Sequence, residues 1–272
     1  MAKPCDQIAH LEPICNRALV DEMDVETERL RIGTAGWSVP RAVADRFASE
    51  GSVLQRYASG FDAVEINSSF YRPHRPQTYA RWRDTTPPGF RFAVKAPRTI
   101  THEGRLAGYG NLLAAFVAEA QSLEEKLGPI LVQLPPSLAF DPAVAERFFE
   151  DVRSLVAGAV VCEPRHSTWF GPDAEAMMRA FHIARVAADP APDPRATTPG
   201  GWPGLAYWRL HGSPRMYFSP YPDEVLRGLA ERLASNAAGQ SWCIFDNTAS
   251  GAAADDAWKL AAMLRGRRAT AG

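Results

Sequence analysis

Short apolar stretches that each end in a charged or amide residue recur along this chain, and they constrain its fold more than any other feature. Seven such stretches run into loops. The polar residues at their ends are Glu65 and Asn67, Lys95, Gln133, Glu163 and Arg165, Asp189, Arg209 and His211, and Asp246 and Asn247. Parallel strands whose carboxyl ends carry polar groups meet at one edge, so these side chains are expected to form one site.

Strand and helix patterns alternate after residue 29. We predict strands near 31–34, 62–66, 91–95, 130–133, 159–163, 183–187, 205–210 and 241–245. Helical spacing of apolar residues follows over 40–59, 106–128, 141–158, 222–239 and 251–267. The second of these helices is expected to stop at Gly128-Pro129, and the third to start at Asp141-Pro142.

Eight strands with helices between them predict a single TIM (β/α)8 barrel over residues 30–272, preceded by a polar N-terminal arm over residues 1–29. The sixth βα unit is expected to be irregular. Its connector, residues 189–204, is too rich in proline and glycine to form a helix.

Composition narrows the classes of protein. The 272 residues carry 30 basic and 31 acidic side chains, so the net charge of −1 gives no support to nucleic acid as a partner, although a local basic patch is compatible with it. The chain has no apolar run long enough for a membrane span. Its first residues also do not match the pattern of a signal peptide. Its four cysteines form no C-x-x-C pair. We therefore expect a cytoplasmic protein that binds a small molecule and no membrane.

Alternation of side chains along each strand predicts which polar groups face the barrel interior. We assign candidate catalytic roles to Glu65, Glu163, Lys95, His211 and Asp246. We assign candidate ligand-binding roles to Asn67, Tyr71, Gln133, Arg165, Trp169, Arg209 and Asn247. The interpretation without a functional site is an internal salt-bridge network that fills the end of the barrel.

Four chemistries are compatible with these residues. Glu65 and Glu163 are a carboxylate pair suited to acid–base catalysis, for example on a glycoside. Glu65, Glu163, His211 and Asp246 form a mixed oxygen and nitrogen set suited to a divalent metal. Lys95 could form a Schiff base, the alternative being an ion pair with Glu65 on the adjacent strand. The three bases Lys95, Arg165 and Arg209 could hold a phosphate or carboxylate.

Aromatic residues accompany the same loops and suit either stacking on a ligand or packing of the loops. They are Trp37, Phe70, Tyr71, Trp169, Tyr217, Phe218 and Tyr221. His102 and His166 lie just past strand ends, where each is a candidate proton shuttle or an ordinary loop histidine.

Seven blocks in order resemble the signature blocks of the YecE-like family, also called domain of unknown function 72. They are IGTAGWS, FDAVEINSSFYRP, FRFAVKAPRTITH, LGPILVQLPPSLAFD, EPRHSTWF, YWRLHGSPRMYFSPY and FDNTASGAAADDA. The resemblance implies a TIM-barrel fold and no established activity or catalytic residues. Two departures stand out: Val39-Pro40-Arg41 where the family usually has an aromatic-rich stretch, and Asp246-Asn247 where it often has two asparagines.

The leading hypothesis is an acid–base enzyme, a hydrolase, isomerase or lyase, acting on a small anionic or sugar-like substrate. Glu65 and Glu163 would exchange protons, the three bases would hold negative charge, and His211 and Asp246 would assist or bind a metal. The alternative is a non-catalytic protein that binds a small ligand or a nucleic-acid fragment.

Overall fold

The computed structural model describes residues 30–271, with side chains through residue 267, so the predicted arm over residues 1–29 lies outside the described part of the chain. The strands of this part are β1 Leu30–Thr34, β2 Ala63–Ile66, β3 Arg91–Lys95, β4 Leu127–Gln133, β5 Val160–Glu163, β6 Ile183–Arg185, β7 Ala187–Asp189, β8 Gly200–Gly201, β9 Leu205–Leu210 and β10 Gln240–Phe245. The α-helices are α1 Val53–Ala58, α2 Pro76–Asp84, α3 Leu112–Ala120, α4 Pro142–Leu155, α5 Pro172–Ala180, α6 Asp223–Ala234 and α7 Ala252–Ala271.

The strands form two sheets, in the orders β1-β10-β9-β7 and β2-β3-β4-β5-β6-β8. Every pairing is parallel except that of the two-residue strand β8 with β6. Helices that intervene between parallel strands cover one face of the sheets, as expected for a mixed α/β fold. All eight predicted strand regions are present, the sixth as the consecutive strands β6 and β7.

The two sheets meet at two places. On one side Ala35, directly after β1, forms a parallel bridge with Glu65 of β2, and the amide of Gly36 donates to the Glu65 carbonyl oxygen at 2.8 Å. On the other side β6 pairs with β5 in one sheet, and β7 pairs with β9 in the other. One extended segment, residues 183–189, therefore contributes to both sheets.

The predicted first helix is split by its glycine and serine residues. Residues 40–59 form a 3-10 helix over Arg41–Arg46 and then α1. Gly51 between them has a φ of +92°, a conformation that glycine adopts without strain. Ser52 then caps α1: its hydroxyl accepts from the amide of Gln55, whose side chain accepts in return from the amide of Ser52.

The predicted end of the second helix at Gly128-Pro129 is wrong, because both residues lie inside strand β4. The helix covers only Leu112–Ala120, and a 3-10 helix over Gln121–Lys126 follows it. The pairing of β3 with β4 is irregular at this point, which is where a strand tolerates a proline that cannot donate a ladder hydrogen bond. Trp242 packs where a Gly128 side chain would be.

Helix α4 begins as predicted. The side chain of Asp141 accepts hydrogen bonds from the amides of Ala143 and Val144, and Pro142 occupies the first helical position. The connector over residues 189–204 is irregular, with a short 3-10 helix at Pro194–Thr197 and strand β8. Proline and glycine account for this difference from the other units.

Two clusters of buried apolar side chains lie on opposite faces of the strands. The larger one packs the helices against residues such as Val64, Phe92 and Val132. The smaller one gathers the alternate positions of both sheets, including Ala63, Ala93, Leu131, Val161, Tyr207 and Ile244. These are the positions that strand alternation predicts to face inward. Within residues 30–271 no helix is both long and apolar enough to cross a membrane.

Candidate active site at the carboxyl ends of the strands

Most of the candidate polar residues converge at the carboxyl ends of the strands. Lys95, Gln133 and Glu163 are the last residues of β3, β4 and β5. Glu65 lies in β2 and Arg209 in β9, each one residue before its strand ends. His211 and Asp246 directly follow β9 and β10. Six of these residues lie two positions after a member of the smaller apolar cluster, and His211 lies two positions after Arg209. Strand alternation therefore brings them together.

Arg209 lies at the centre of this cluster and joins three carboxylates. Its Nη2 and Nε donate to the two oxygens of Glu65 at 2.7 and 3.0 Å. Its Nη1 donates to Oε2 of Glu163 at 2.7 Å, and Nη2 also donates to Oδ2 of Asp246 at 3.0 Å. Arg209, Glu65 and Glu163 are all 0% exposed. The planar guanidinium, with five donors in fixed directions, suits this multiple contact.

The electrostatics of the cluster follow from these contacts. Burial by itself raises the pKa of the Glu163 carboxyl, but Arg165 and Arg209 outweigh that effect and hold its pKa well below the usual range. The pKa of Asp246 is also lowered. Burial by itself raises this pKa, but Arg209 and the hydrogen bond to His211 outweigh that effect. Both acids therefore remain ionised near neutral pH.

His211 bridges two of these carboxylates. Its Nδ1 lies 3.0 Å from Oδ2 of Asp246, and its Nε2 lies 2.8 Å from Oε1 of Glu163. Arg165 approaches the same place, with Nη2 at 2.6 Å from Oε1 of Glu163 and 2.8 Å from Nε2 of His211. The side chain of Arg165 is 11% exposed, and its Nε is buried without an acceptor among the described residues.

Lys95 differs from the other bases because it has no carboxylate partner. The predicted ion pair with Glu65 is absent, and within the described residues the amine forms no ion pair or hydrogen bond. Its Nζ lies 4.1 Å from the centre of the Phe70 ring, and the residue is 5% exposed. Burial, together with the charge of Arg209, lowers the pKa of Lys95 to about 8.

The cluster does not form a metal site. Within residues 30–267 no group of three or more His, Cys, Asp or Glu side chains is arranged to hold a metal ion. Glu65, Glu163 and Asp246 converge on a guanidinium, so the position where a divalent ion would meet all three is filled by Arg209. Nδ1 of His211 faces Asp246, and its Nε2 lies 2.8 Å from both Glu163 and Arg165.

The candidate ligand-binding residues divide into two groups. Gln133 and Arg165 join the cluster, Gln133 by donating to Oε2 of Glu163 at 2.9 Å. Asn67 follows β2, and its Oδ1 is buried without a donor among the described residues. Tyr71 lies at the edge, 69% exposed, with its ring against Phe70.

Trp169 and Asn247 lie apart from the cluster. Trp169 is 1% exposed, donates to the carbonyl oxygen of Leu138 and packs on Phe140. The side-chain amide of Asn247 donates to Asp256 and to the carbonyl oxygen of Ser219, which fastens the loop after β10 to helix α7 and to the loop after β9. The geometry therefore gives both residues structural contacts.

Three site residues were not among the candidates. Tyr207 donates to Oε2 of Glu65 at 3.0 Å, and its inward position two residues before Arg209 was the available signal. Phe70 lies beneath Lys95 and against His102, with ring centres 4.9 Å apart. Tyr217 lies with its ring centre 5.9 Å from that of His211. In the sequence, Phe70 and Tyr217 stand out only as aromatic residues of these loops.

Comparisons with known proteins agree with one another. The UPF0759 protein YecE of Escherichia coli K12 is 30% identical over 167 residues, which are 59% of this chain and 59% of that protein. Less than two thirds of that relative's length is therefore matched. A DUF72 family protein from Enterococcus faecalis superimposes with a TM-score of 0.73 at 21% identity, covering 87% of this chain and 95% of the other.

A DUF72 family protein from Thermotoga maritima superimposes with a TM-score of 0.70 at 25% identity, covering 87% of this chain and 99% of the other. The family model described as protein of unknown function DUF72 matches residues 31–271, which is most of the chain. The resemblance noted in the sequence is confirmed: this chain belongs to the DUF72 family.

Proposed function

We propose that this chain is an enzyme that acts on a small anionic substrate at the carboxyl ends of the strands, with Lys95 as its proton-transferring group. The observation that carries the proposal is the environment of Lys95. The residue is 5% exposed and its amine has no ion pair among the described residues, whereas Arg165 and Arg209 beside it both have acidic partners. Uncompensated buried charge is costly, and such groups concentrate at functional sites.

We further propose that the two sheets are parts of one (β/α)8 barrel. The bridge between Ala35 and Glu65 connects the first strands of the two sheets, and the segment over residues 183–189 pairs with both. The inward-facing apolar cluster draws on strands of both sheets. Enzymes with this architecture bind substrate at the carboxyl ends of the strands, where this polar cluster lies.

The charge of the substrate is inferred from the unused donors. Lys95 has three N–H groups and Arg165 has Nε without an acceptor among the described residues. Both act electrostatically on His102, and together with burial they lower its pKa. A phosphate or carboxylate placed among these three groups would supply the missing acceptors.

Glu65 and Glu163 position the arginines of the site in this proposal, in place of the acid and base roles that the sequence suggests. Both oxygens of Glu65 and Oε2 of Glu163 accept hydrogen bonds from Arg209, Gln133 or Tyr207. Oε1 of Glu163 forms an ion pair with Arg165, and both acids are 0% exposed. They hold Arg209 and Arg165 in fixed positions, so the substrate meets a preorganised set of charges. Lys95, with a pKa of about 8, is better matched to proton transfer near neutral pH.

The test is a thermal-shift screen against phosphate, sugar phosphates and small carboxylates, followed by a turnover assay. A ligand at one hundred times its Kd stabilises the folded protein by about 2.7 kcal/mol. We expect at least one compound to raise the Tm of the wild type, and Arg165→Met and Lys95→Met to remove the shift. Lys259→Met, which changes a lysine on helix α7 paired with Asp255, is the matched control and should keep it.

Turnover of the stabilising compound should rise with pH and level off above about 8, as the amine of Lys95 loses its proton. A screen without any shift, or a shift that survives in both site variants, would contradict the proposal. A shift without turnover would favour the second candidate, a non-catalytic binding protein. The observation in favour of that candidate is the complete engagement of Glu65 and Glu163 by neighbouring donors.

A further inference from the structure

Lysine is rare in this chain, and its four copies are at residues 3, 95, 126 and 259. The three described ones have different surroundings. Lys126 donates to the carbonyl oxygens of Arg83 and Thr86, both at 2.6 Å. Lys259 pairs with Asp255 at 2.9 Å and is 40% exposed. Among the described lysines, only Lys95 has an amine with neither a hydrogen bond nor an ion pair.

The amine of Lys95 lies in a defined position without an acidic partner among the described residues. It ends strand β3, its stem is fixed in the packed interior, and its Nζ rests above the face of Phe70 at 4.1 Å. The neighbouring carboxylates of Glu65 and Glu163 are saturated by other donors, so they leave the amine uncovered. An amine with its lone pair free of hydrogen bonds is a nucleophile once it is deprotonated.

We propose that the ε-amine of Lys95 forms a Schiff base with the carbonyl group of a small anionic aldehyde or ketone whose anionic group is bound by Arg165. This inference rests on the proposed function and specifies its substrate class. The orphaned Nε of Arg165 would receive the phosphate or carboxylate. The carbonyl carbon would then lie next to the amine of Lys95, which has no ion pair with a carboxylate among the described residues.

The atoms and charges of the step balance. The neutral amine adds its lone pair to the carbonyl carbon, and one of its two protons passes to the carbonyl oxygen to give a neutral carbinolamine. The oxygen then leaves as water with the second amine proton, and a C=N bond joins Lys95 to the former carbonyl carbon. Oδ1 of Asp246, which receives no hydrogen bond from the described residues, is the nearby carboxylate oxygen free to relay protons. Water reverses the reaction and releases the amine.

The acid–base properties of the site support this step. Because the pKa of Lys95 is lowered to about 8, roughly one amine in ten is neutral at pH 7, far more than for an exposed lysine. The pKa of Lys259 is instead raised by its hydrogen bond to Asp255, which keeps that amine protonated. The two lysines therefore provide an internal comparison within one protein.

The experiment traps the Schiff base by reduction. The full chain is incubated with glyoxylate, pyruvate or dihydroxyacetone phosphate, then reduced with sodium borohydride and mapped by mass spectrometry. We expect a single adduct at Lys95, at least about tenfold above that at Lys259 because a neutral amine is the nucleophile. Inorganic phosphate should compete with the phosphorylated probe. Lys95→Arg keeps the positive charge and should give no adduct, while Lys259→Arg should label as the wild type does.

Two readouts separate failure of this inference from failure of the proposed function. The Tm of each protein is measured with the same probes before reduction, and far-UV circular dichroism checks that Lys95→Arg is folded. A probe that raises the Tm without leaving an adduct on Lys95 overturns the Schiff base and leaves the binding site intact. Labelling spread equally over Lys95, Lys259 and the N-terminal amine also overturns it.

Discussion

At the scale of single residues, Lys95 and Arg209 are two buried bases with opposite environments. Arg209 donates to three carboxylates. Burial by itself lowers the pKa of Arg209, but the carboxylates outweigh that effect and raise it. Lys95 has no such partner among the described residues, and burial lowers its pKa. Strand alternation predicted that both face inward, but it could not predict which base would take the acids. That choice depends on distances, and the fork of Arg209 reaches several carboxylates at once.

We predict that Lys95→Met stabilises the protein at pH 7. The folded pKa of about 8 lies below the ordinary lysine value of 10.5, so below pH 8 the folded state carries a buried cation that the unfolded state solvates. Replacement should add about 1–3 kcal/mol to the free energy of unfolding. The gain should shrink from pH 8 to 10.5, where folding of the wild type no longer buries a charge. Urea denaturation at pH 7, 9 and 10.5 measures this.

Lys259→Met is the matched control for that experiment. Its amine pairs with Asp255 at the surface, and such pairs contribute less than about 1 kcal/mol. It should show no gain at any pH. A Lys95→Met protein that is less stable than the wild type at pH 7 would mean that Lys95 has an acidic partner in solution, and it would remove the physical basis for a reactive amine.

At the scale of elements, strands were predicted well and helix ends poorly. Short apolar runs bounded by polar residues place each strand within a few positions, because burial on both faces demands such runs. The helices over residues 40–59 and 106–128 are each shorter than their apolar spacing suggests. Gly51 interrupts the first of these helices, and the Gly128-Pro129 pair lies inside β4. Their conformations depend on packing against neighbouring strands, which the local sequence pattern does not contain.

We predict that Gly33→Ala strongly destabilises the protein, because β1 and β2 approach closely at this glycine. A Cβ at residue 33 would lie 2.1 Å from the carbonyl oxygen of Ala63, far inside van der Waals contact. The two strands must then separate, at a cost of about 3 kcal/mol or more. The close approach of β1 and β2 joins the edges of the two sheets. The lower stability of Gly33→Ala should therefore appear as a lower midpoint of urea denaturation.

Gly228→Ala is the control for the strand contact. Gly228 lies in helix α6 with open space around its Cβ position, so alanine should be neutral or stabilising by up to about 1 kcal/mol. Equal effects at the two glycines would show that β1 and β2 do not approach as closely in solution. That result would also weaken the proposal of a single barrel.

At the scale of the whole molecule, the polar cluster ties the two sheets together. Arg209 belongs to β9 of one sheet, and its partners Glu65 and Glu163 belong to β2 and β5 of the other. The sequence predicted the members of this network from strand alternation. It could not distinguish a network that only fills the interior from one that shapes a substrate site, because both use the same side chains and differ in which donors stay unused.

We predict that Arg209→Met costs about 3–5 kcal/mol, because it leaves three carboxylates without their shared cation in the interior. The measurement is urea denaturation at pH 7. Arg98→Met is the matched control: Arg98 pairs with Glu103 at 3.0 Å, but both side chains are about half exposed, so the expected loss is below about 1 kcal/mol. Similar losses in the two variants would contradict a stabilising role for the central guanidinium.

The same network predicts how the molecule responds to acid. Arg165 and Arg209 lower the folded pKa of Glu163, and Arg209 and His211 lower that of Asp246, relative to the ordinary values of 4.5 and 3.8. Their contribution to stability is therefore complete above those values and is lost as the pH falls below them. The free energy of unfolding of the wild type should drop between pH 5 and pH 3, within one cooperative transition because the network joins both sheets.

Glu163→Gln removes one titrating carboxyl group, and with it that group's contribution to the pH dependence of the free energy of unfolding. The variant should be less stable than the wild type at pH 7, since Arg165 and Arg209 lose an ionised partner. The difference should narrow as the pH falls, by up to about 1.4 kcal/mol per pH unit for one proton. Glu103→Gln, at an exposed position, should run parallel to the wild type. A constant gap between Glu163→Gln and the wild type from pH 7 to pH 3 would mean that folding does not lower the pKa of Glu163, and the charges proposed to position the substrate would then not be fixed.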